Sequence, residues 1–178
     1  YMIDHLRSYY GAEIEAKRAH IIQNTLQTRE KQTASMQDVE KLLRIRELVF
    51  FGKTEFFKGI GIFCDAIDIM LRSGQGPPAV TFLVRLKAVT RDGEQGDAFI
   101  DRRSRGWKES GVEVSVVTGQ SSSGCMRYLK GKGRLAVMPS VLENSPYVVL
   151  EAIGNFVPFV ATAVGGTPEL LHPDDRAH

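Results

Sequence analysis

Three stretches of the chain combine charged side chains with glycine, proline and hydroxyl residues at spacings that suit an anionic ligand. The first is Phe51-Gly52-Lys53-Thr54-Glu55-Phe56-Phe57-Lys58-Gly59, set between a short apolar run and a helical one. Gly52 frees the turn. Lys53 and Lys58, five positions apart, are spaced to converge on one anion at a helix start, where backbone N–H groups and the helix dipole also attract negative charge. A diphosphate suits such a loop. The plainer reading makes both lysines solvated charges that flank Phe56 and Phe57. The stretch is not a Walker A loop, because Gly-Lys-Thr lacks the glycine five residues earlier.

The second stretch runs from Met138-Pro139-Ser140 through Glu143-Asn144-Ser145-Pro146-Tyr147-Val148 to Glu151-Ala152. Ser145 is expected as an N-cap and Pro146 as the first helical residue, so that a helix N-terminus faces the loop holding Glu143. That arrangement is an anion site with an acid beside it. Glu151 lies two turns into the same helix among apolar neighbours, where a carboxylate needs a partner, and ribose hydroxyls are suitable donors. An ordinary surface position on an amphipathic helix is the other reading of Glu151. The third stretch is Thr162-Ala163-Val164-Gly165-Gly166-Thr167-Pro168-Glu169. Gly165 and Gly166 let the backbone approach a ligand closely, and Thr167 is expected to cap a helix begun by Pro168. A tight turn is the simpler alternative.

These loops need a scaffold, and the chain supplies one from residue 48 onward. Short β-branched or aromatic runs, at 48–51, 79–86, 112–117, 135–138 and 158–164, alternate with helical stretches at 60–71, 97–110, 126–129 and 146–155, and 168–171 opens another helix. Five βα units in series predict an α/β fold, a doubly wound parallel sheet in a three-layer α/β/α Rossmann-like sandwich, with ligands bound outside the carboxyl ends of the strands. Functional residues are therefore expected in the loops after Phe51, Met138 and Val164. Residues 1–47 read as the end of an N-terminal domain and an interdomain connector, and 48–178 as one binding domain truncated at its C-terminus. The start at Tyr1 and the stop at His178 without a closing element read as an excised fragment.

Bulk properties narrow the function classes. A net charge of +2 from 23 basic and 21 acidic residues, with no long basic run, does not call for nucleic acid. No stretch approaches the roughly 18 to 20 apolar residues of a membrane span, and the opening residues do not have a signal-peptide layout. Cys64 and Cys125, the two cysteines of the chain, fit reduced thiols in a cytoplasmic protein better than a disulfide or metal site. A dinucleotide-dependent oxidoreductase is disfavoured, since no G-x-G-x-x-G follows the first strand.

Taken together, the loops resemble the donor-binding domain of the GT-B glycosyltransferases of family 4, the glycosyl transferases group 1, over about residues 48–175. Glu143 and Glu151 match the E-x7-E acids, Val164-Gly165-Gly166-Thr167-Pro168-Glu169 is similar to VGGxPE, and Phe51 to Gly59 resembles the G-R-x-x-x-x-K-G loop with Lys53 in place of arginine. Lysine keeps the charge there but loses the bidentate fork. The resemblance implies a retaining transferase using a nucleotide-sugar such as a UDP- or GDP-sugar, with a saccharide, lipid or other acceptor. Lys53 and Lys58 would neutralise the diphosphate, Glu143 would contact the sugar, the backbone of Asn144 to Val148 would meet sugar and phosphate, and Glu151 would hold the ribose. It also implies no cofactor and no metal, the nucleotide-sugar being a substrate. The acceptor would be bound mainly by an N-terminal domain, and any peripheral membrane association would belong to the full-length enzyme. A GT-B-fold nucleotide-sugar epimerase and a non-catalytic nucleotide-binding module are the competing readings.

Overall fold

The computed structural model describes residue 8 and residues 44–89 and 93–171. The connector expected over residues 1–47 falls almost wholly outside these residues. Among the described residues there are five strands: β1 Glu47–Lys53, β2 Ala79–Arg85, β3 Glu113–Val117, β4 Arg134–Met138 and β5 Phe159–Ala161. They alternate with four α-helices: α1 Ile60–Arg72, α2 Gly96–Glu109, α3 Ser122–Leu129 and α4 Tyr147–Gly154. All strand pairs are parallel, in the order β3-β2-β1-β4-β5. This is the doubly wound α/β sheet expected from the alternation of periods.

Successive side chains of a strand point to opposite faces, and β1 shows what that alternation does. Phe50 packs with Ile60, Phe63, Phe82 and Trp107 beneath α1 and α2. Val49 and Phe51 turn the other way, toward Met126, Leu129, Val149 and Ala152 of α3 and α4. A strand buried on both faces reads as a continuous apolar run, which is why Leu48 to Phe51 stood out. On the first face Phe63 meets Phe82 edge-on at 5.6 Å and Phe82 stacks on Trp107 at 6.2 Å, geometries that add about 0.5–1.5 kcal/mol each beyond area burial. The buried Trp107 indole needs an acceptor. It donates to Asp68 at 2.6 Å, and Arg103 donates to Asp68 and Asp65 at 2.7 and 2.8 Å, fastening α2 to α1.

At the amino edge of the sheet a polar network joins β1, β2, α3 and β4. Glu47 accepts hydrogen bonds from Thr81 at 2.7 Å, Tyr128 at 2.5 Å and Arg134 at 2.6 Å. Burial pushes the Glu47 carboxyl up, but the hydrogen bonds from Thr81, Tyr128 and Arg134 together outweigh it and hold the group below its ordinary value of 4.5. A carboxylate lowered on folding adds stability above its unfolded pKa, and that increment is lost as pH falls through the folded value. Glu47→Gln is therefore expected to cost about 1–3 kcal/mol at pH 7. Urea unfolding of both proteins should show the difference shrinking in acid below pH about 4.5; a difference that stays constant with pH would remove the charged network as its cause.

Three local expectations are corrected. β5 spans three residues, because it pairs only with Ala136 to Met138 of β4 and ends where that strand ends. Pro146, not Ser145, is the cap of α4, and Tyr147 is its first residue. Pro146 lies in the extended region at ψ 96°, and its carbonyl accepts the N–H groups of Val149 and Leu150, both at 3.1 Å. Thr167 has helical dihedrals and no side-chain capping bond, and the segment after it is a single 3-10 turn, Pro168–Leu170.

Candidate active-site cleft

The chain passes from β1 outward to β2 and β3, then returns to place β4 on the other side of β1. This reversal is the switch point of the sheet, where a crevice opens at the carboxyl ends of the strands. A cleft of about 660 Å³ lies there. Its floor is made by the ends of β1, β2 and β3, and its far wall by Ser140, Glu143 and the segment Ser145 to Val148.

The lysine loop and the glutamate loop are locked together. Gly59 has φ +76°, and a side chain there would meet the Pro139 carbonyl at 1.8 Å, so only glycine lets the two loops approach this closely. The Phe57 carbonyl accepts the N–H groups of Val141 at 2.8 Å and Leu142 at 3.4 Å. This contact brings Lys58 against Glu143. The Lys58 ammonium forms an ion pair and hydrogen bond with Glu143 Oε1, which also accepts from the Ser140 hydroxyl at 2.8 Å. Glu143 is 8% exposed and its charge is thus matched inside the cleft wall. Lys53 is looser. It is exposed at the end of β1, 3.7 Å from Glu55.

Above Glu143, α4 begins. The N–H groups of Tyr147 and Val148 have no acceptor within the helix by its geometry, and both residues line the cleft. Gly52, Ser145 and Pro146 line it as well, so the structure brings together most of the residues singled out in the first two loops. Asn144 is exposed beside them. Gly165, Gly166 and Thr167 are not among the lining residues. A side chain at Gly165 would meet the Glu143 carbonyl at 1.6 Å, and one at Gly166 the Asn144 carbonyl at 2.1 Å. The double glycine thus approaches the backbone that carries Glu143, supporting the cleft wall from behind. Thr162 adds to that support, donating to the Ser140 carbonyl at 2.5 Å.

Glu151 is not among the lining residues either. Its Oε1 accepts from Ser122 Oγ at 2.5 Å, and Ser122 lines the cleft. Burial pushes the thiol of neighbouring Cys125 up, and the Glu151 charge adds to that shift. Both cysteines are free thiols, and burial pushes Cys64 up to about 12. Among the described residues no group of three or more His, Cys, Asp or Glu side chains is placed to hold a metal ion, and no helix is long and apolar enough to cross a membrane.

A sequence model of the glycosyl transferases group 1 matches residues 45–177, three quarters of the chain. The chain belongs to this family. A search of curated proteins returns no match. The matched span covers the whole sheet, so the parallel fold is that of a GT-B glycosyltransferase domain, and the domain's role is of the glycosyltransferase type.

Sequence reasoning missed one side of this glycosyltransferase cleft. The ends of β2 and β3, Leu83 to Leu86 and Val117, and the residues beyond β3, Thr118 to Gln120 with Ser122 and Cys125, also line it. The carboxyl-edge rule applies to β2 and β3 as much as to β1. The signal available was a charged residue, Arg85, closing the apolar run Val80 to Val84.

Proposed function

We propose that this domain binds the nucleotide-sugar donor of a retaining transferase, a UDP- or GDP-sugar. The observation that supports this most is the Lys58 and Glu143 pair in the cleft wall beside the open N-terminus of α4. A cation and a helix start suit the diphosphate, and a carboxylate beside them suits sugar hydroxyls. Lys58, Lys53 and the α4 N–H groups are assigned to the negative charge that builds on the leaving diphosphate as the glycosidic bond breaks. Glu143 is assigned to the donor sugar and Glu151 to the ribose. The charge compensation that a divalent ion supplies elsewhere then falls to these groups, so transfer is proposed to be metal-independent. The acceptor, a saccharide or lipid, is assigned mainly to a separate N-terminal domain, and the setting to the cytoplasm.

Calorimetric titration of the chain with UDP, GDP and the matching nucleosides tests this reading. A nucleoside diphosphate should bind and a nucleoside should bind far more weakly. Lys58→Ala should lose affinity for the diphosphate and not for the nucleoside, whereas Glu151→Gln should lose about tenfold for the ribonucleotide and little for its 2′-deoxy counterpart. Equal losses for all ligands would remove these residues from their assigned roles.

A further inference from the structure

We propose that Arg85, at the carboxyl end of β2, is a diphosphate-binding residue that supplies the guanidinium fork missing at Lys53. The inference rests on the cleft being a nucleoside diphosphate site and adds a residue and a division of labour to it. In the parallel register of β1 and β2, Lys53 stands directly opposite Arg85. Registered partners of neighbouring strands share a face. Arg85 follows Leu83 by two and Lys53 follows Phe51 by two, and Leu83 and Phe51 both belong to the core cluster on the α3 and α4 side. Both cations therefore project on the face where the N-terminus of α4 opens, and both line the cleft. Arg85 is exposed, and among the described residues its side chain makes no ion pair or hydrogen bond. Every other cation lining the cleft has an acidic neighbour, Lys53 with Glu55 and Lys58 with Glu143.

A guanidinium with no protein partner at the floor of an anion-binding cleft is available to a ligand. Lysine offers a point charge, while arginine presents two parallel N–H donors to one phosphate. The position of Arg85 is also fixed. Its carbonyl accepts the Thr54 N–H at 3.2 Å, and the buried Thr54 hydroxyl bonds both the N–H and the carbonyl of Lys87 at 2.7 Å. The end of β2 is thus tied to the loop that carries Lys53, so the two cations are held as a pair.

The test is calorimetric titration of the chain and of Arg85→Gln, Arg85→Lys and Lys53→Gln with UDP, GDP, uridine and guanosine. Arg85→Gln should lose about tenfold or more in diphosphate affinity with nucleoside affinity unchanged. Arg85→Lys should recover little of that loss, and the loss should shrink as salt rises. Unchanged thermal melting is expected of both Arg85 variants, since the side chain is exposed. Diphosphate binding that is indifferent to Arg85→Gln overturns the assignment and leaves the donor reading standing. Full recovery in Arg85→Lys overturns the fork. A parent chain that binds nucleosides as well as diphosphates overturns both the assignment and the donor reading.

Discussion

Adding one methyl group at Gly165 is expected to reduce nucleoside diphosphate affinity by about a hundredfold or more, the loss of two hydrogen bonds to a charged ligand at about 1.5 kcal/mol each. Gly165 has φ +54°, and a side chain would lie 1.6 Å from the Glu143 carbonyl. Backbone cannot yield as a flexible side chain does. The 143–144 segment must move, and Glu143, its contact with Lys58 and the entry to α4 must move with it. The sheet has no such dependence, because β5 ends at Ala161 and the core contacts of α4 are made by Val149 and Ala152. Gly165→Ala is therefore expected to keep its far-UV circular dichroism while losing binding by titration. Parent-like affinity would show that the wall is soft and that the double glycine does not set the cleft.

Glu143→Gln is expected to lower sugar transfer by about thirty- to a hundredfold, the loss of one charged hydrogen bond in the transition state. The measurement requires the protein carrying both the donor and acceptor halves. Nucleotide affinity should hold or rise, because Lys58 loses the carboxylate that now competes with the diphosphate for its ammonium. The converse substitution behaves differently. Lys58→Ala leaves a carboxylate that is 8% exposed with, among the described residues, the Ser140 hydroxyl as its remaining partner, so it should also destabilise the fold, by about 1–3 kcal/mol. Nucleotide affinity collapsing in Glu143→Gln, with the transfer rate at saturation preserved, would reverse the roles of the two residues.

The architecture and the two loops that dominate the cleft are legible in the residue pattern alone. Alternation between apolar runs and helical periods specifies a parallel sheet, because a strand covered on both faces must be apolar throughout, as Leu48 to Phe51 is. Glycine and proline mark the loops where backbone must turn or approach, which made Gly52, Gly59 and Pro146 visible. Capping was less legible. Ser145 and Thr167 are good capping residues by type, yet Pro146 takes the cap of α4 and Thr167 makes no side-chain capping bond, while Gly165 and Gly166 pack on the residue 143–144 backbone. Folding is what brings Lys58 to Glu143 across 85 positions of sequence, Ser122 to Glu151, and Arg85 beside Lys53. Each of these contacts joins loops that follow different strands. Spacing along the chain carries no information about them, because strand order and register, not sequence distance, determine which carboxyl ends lie side by side.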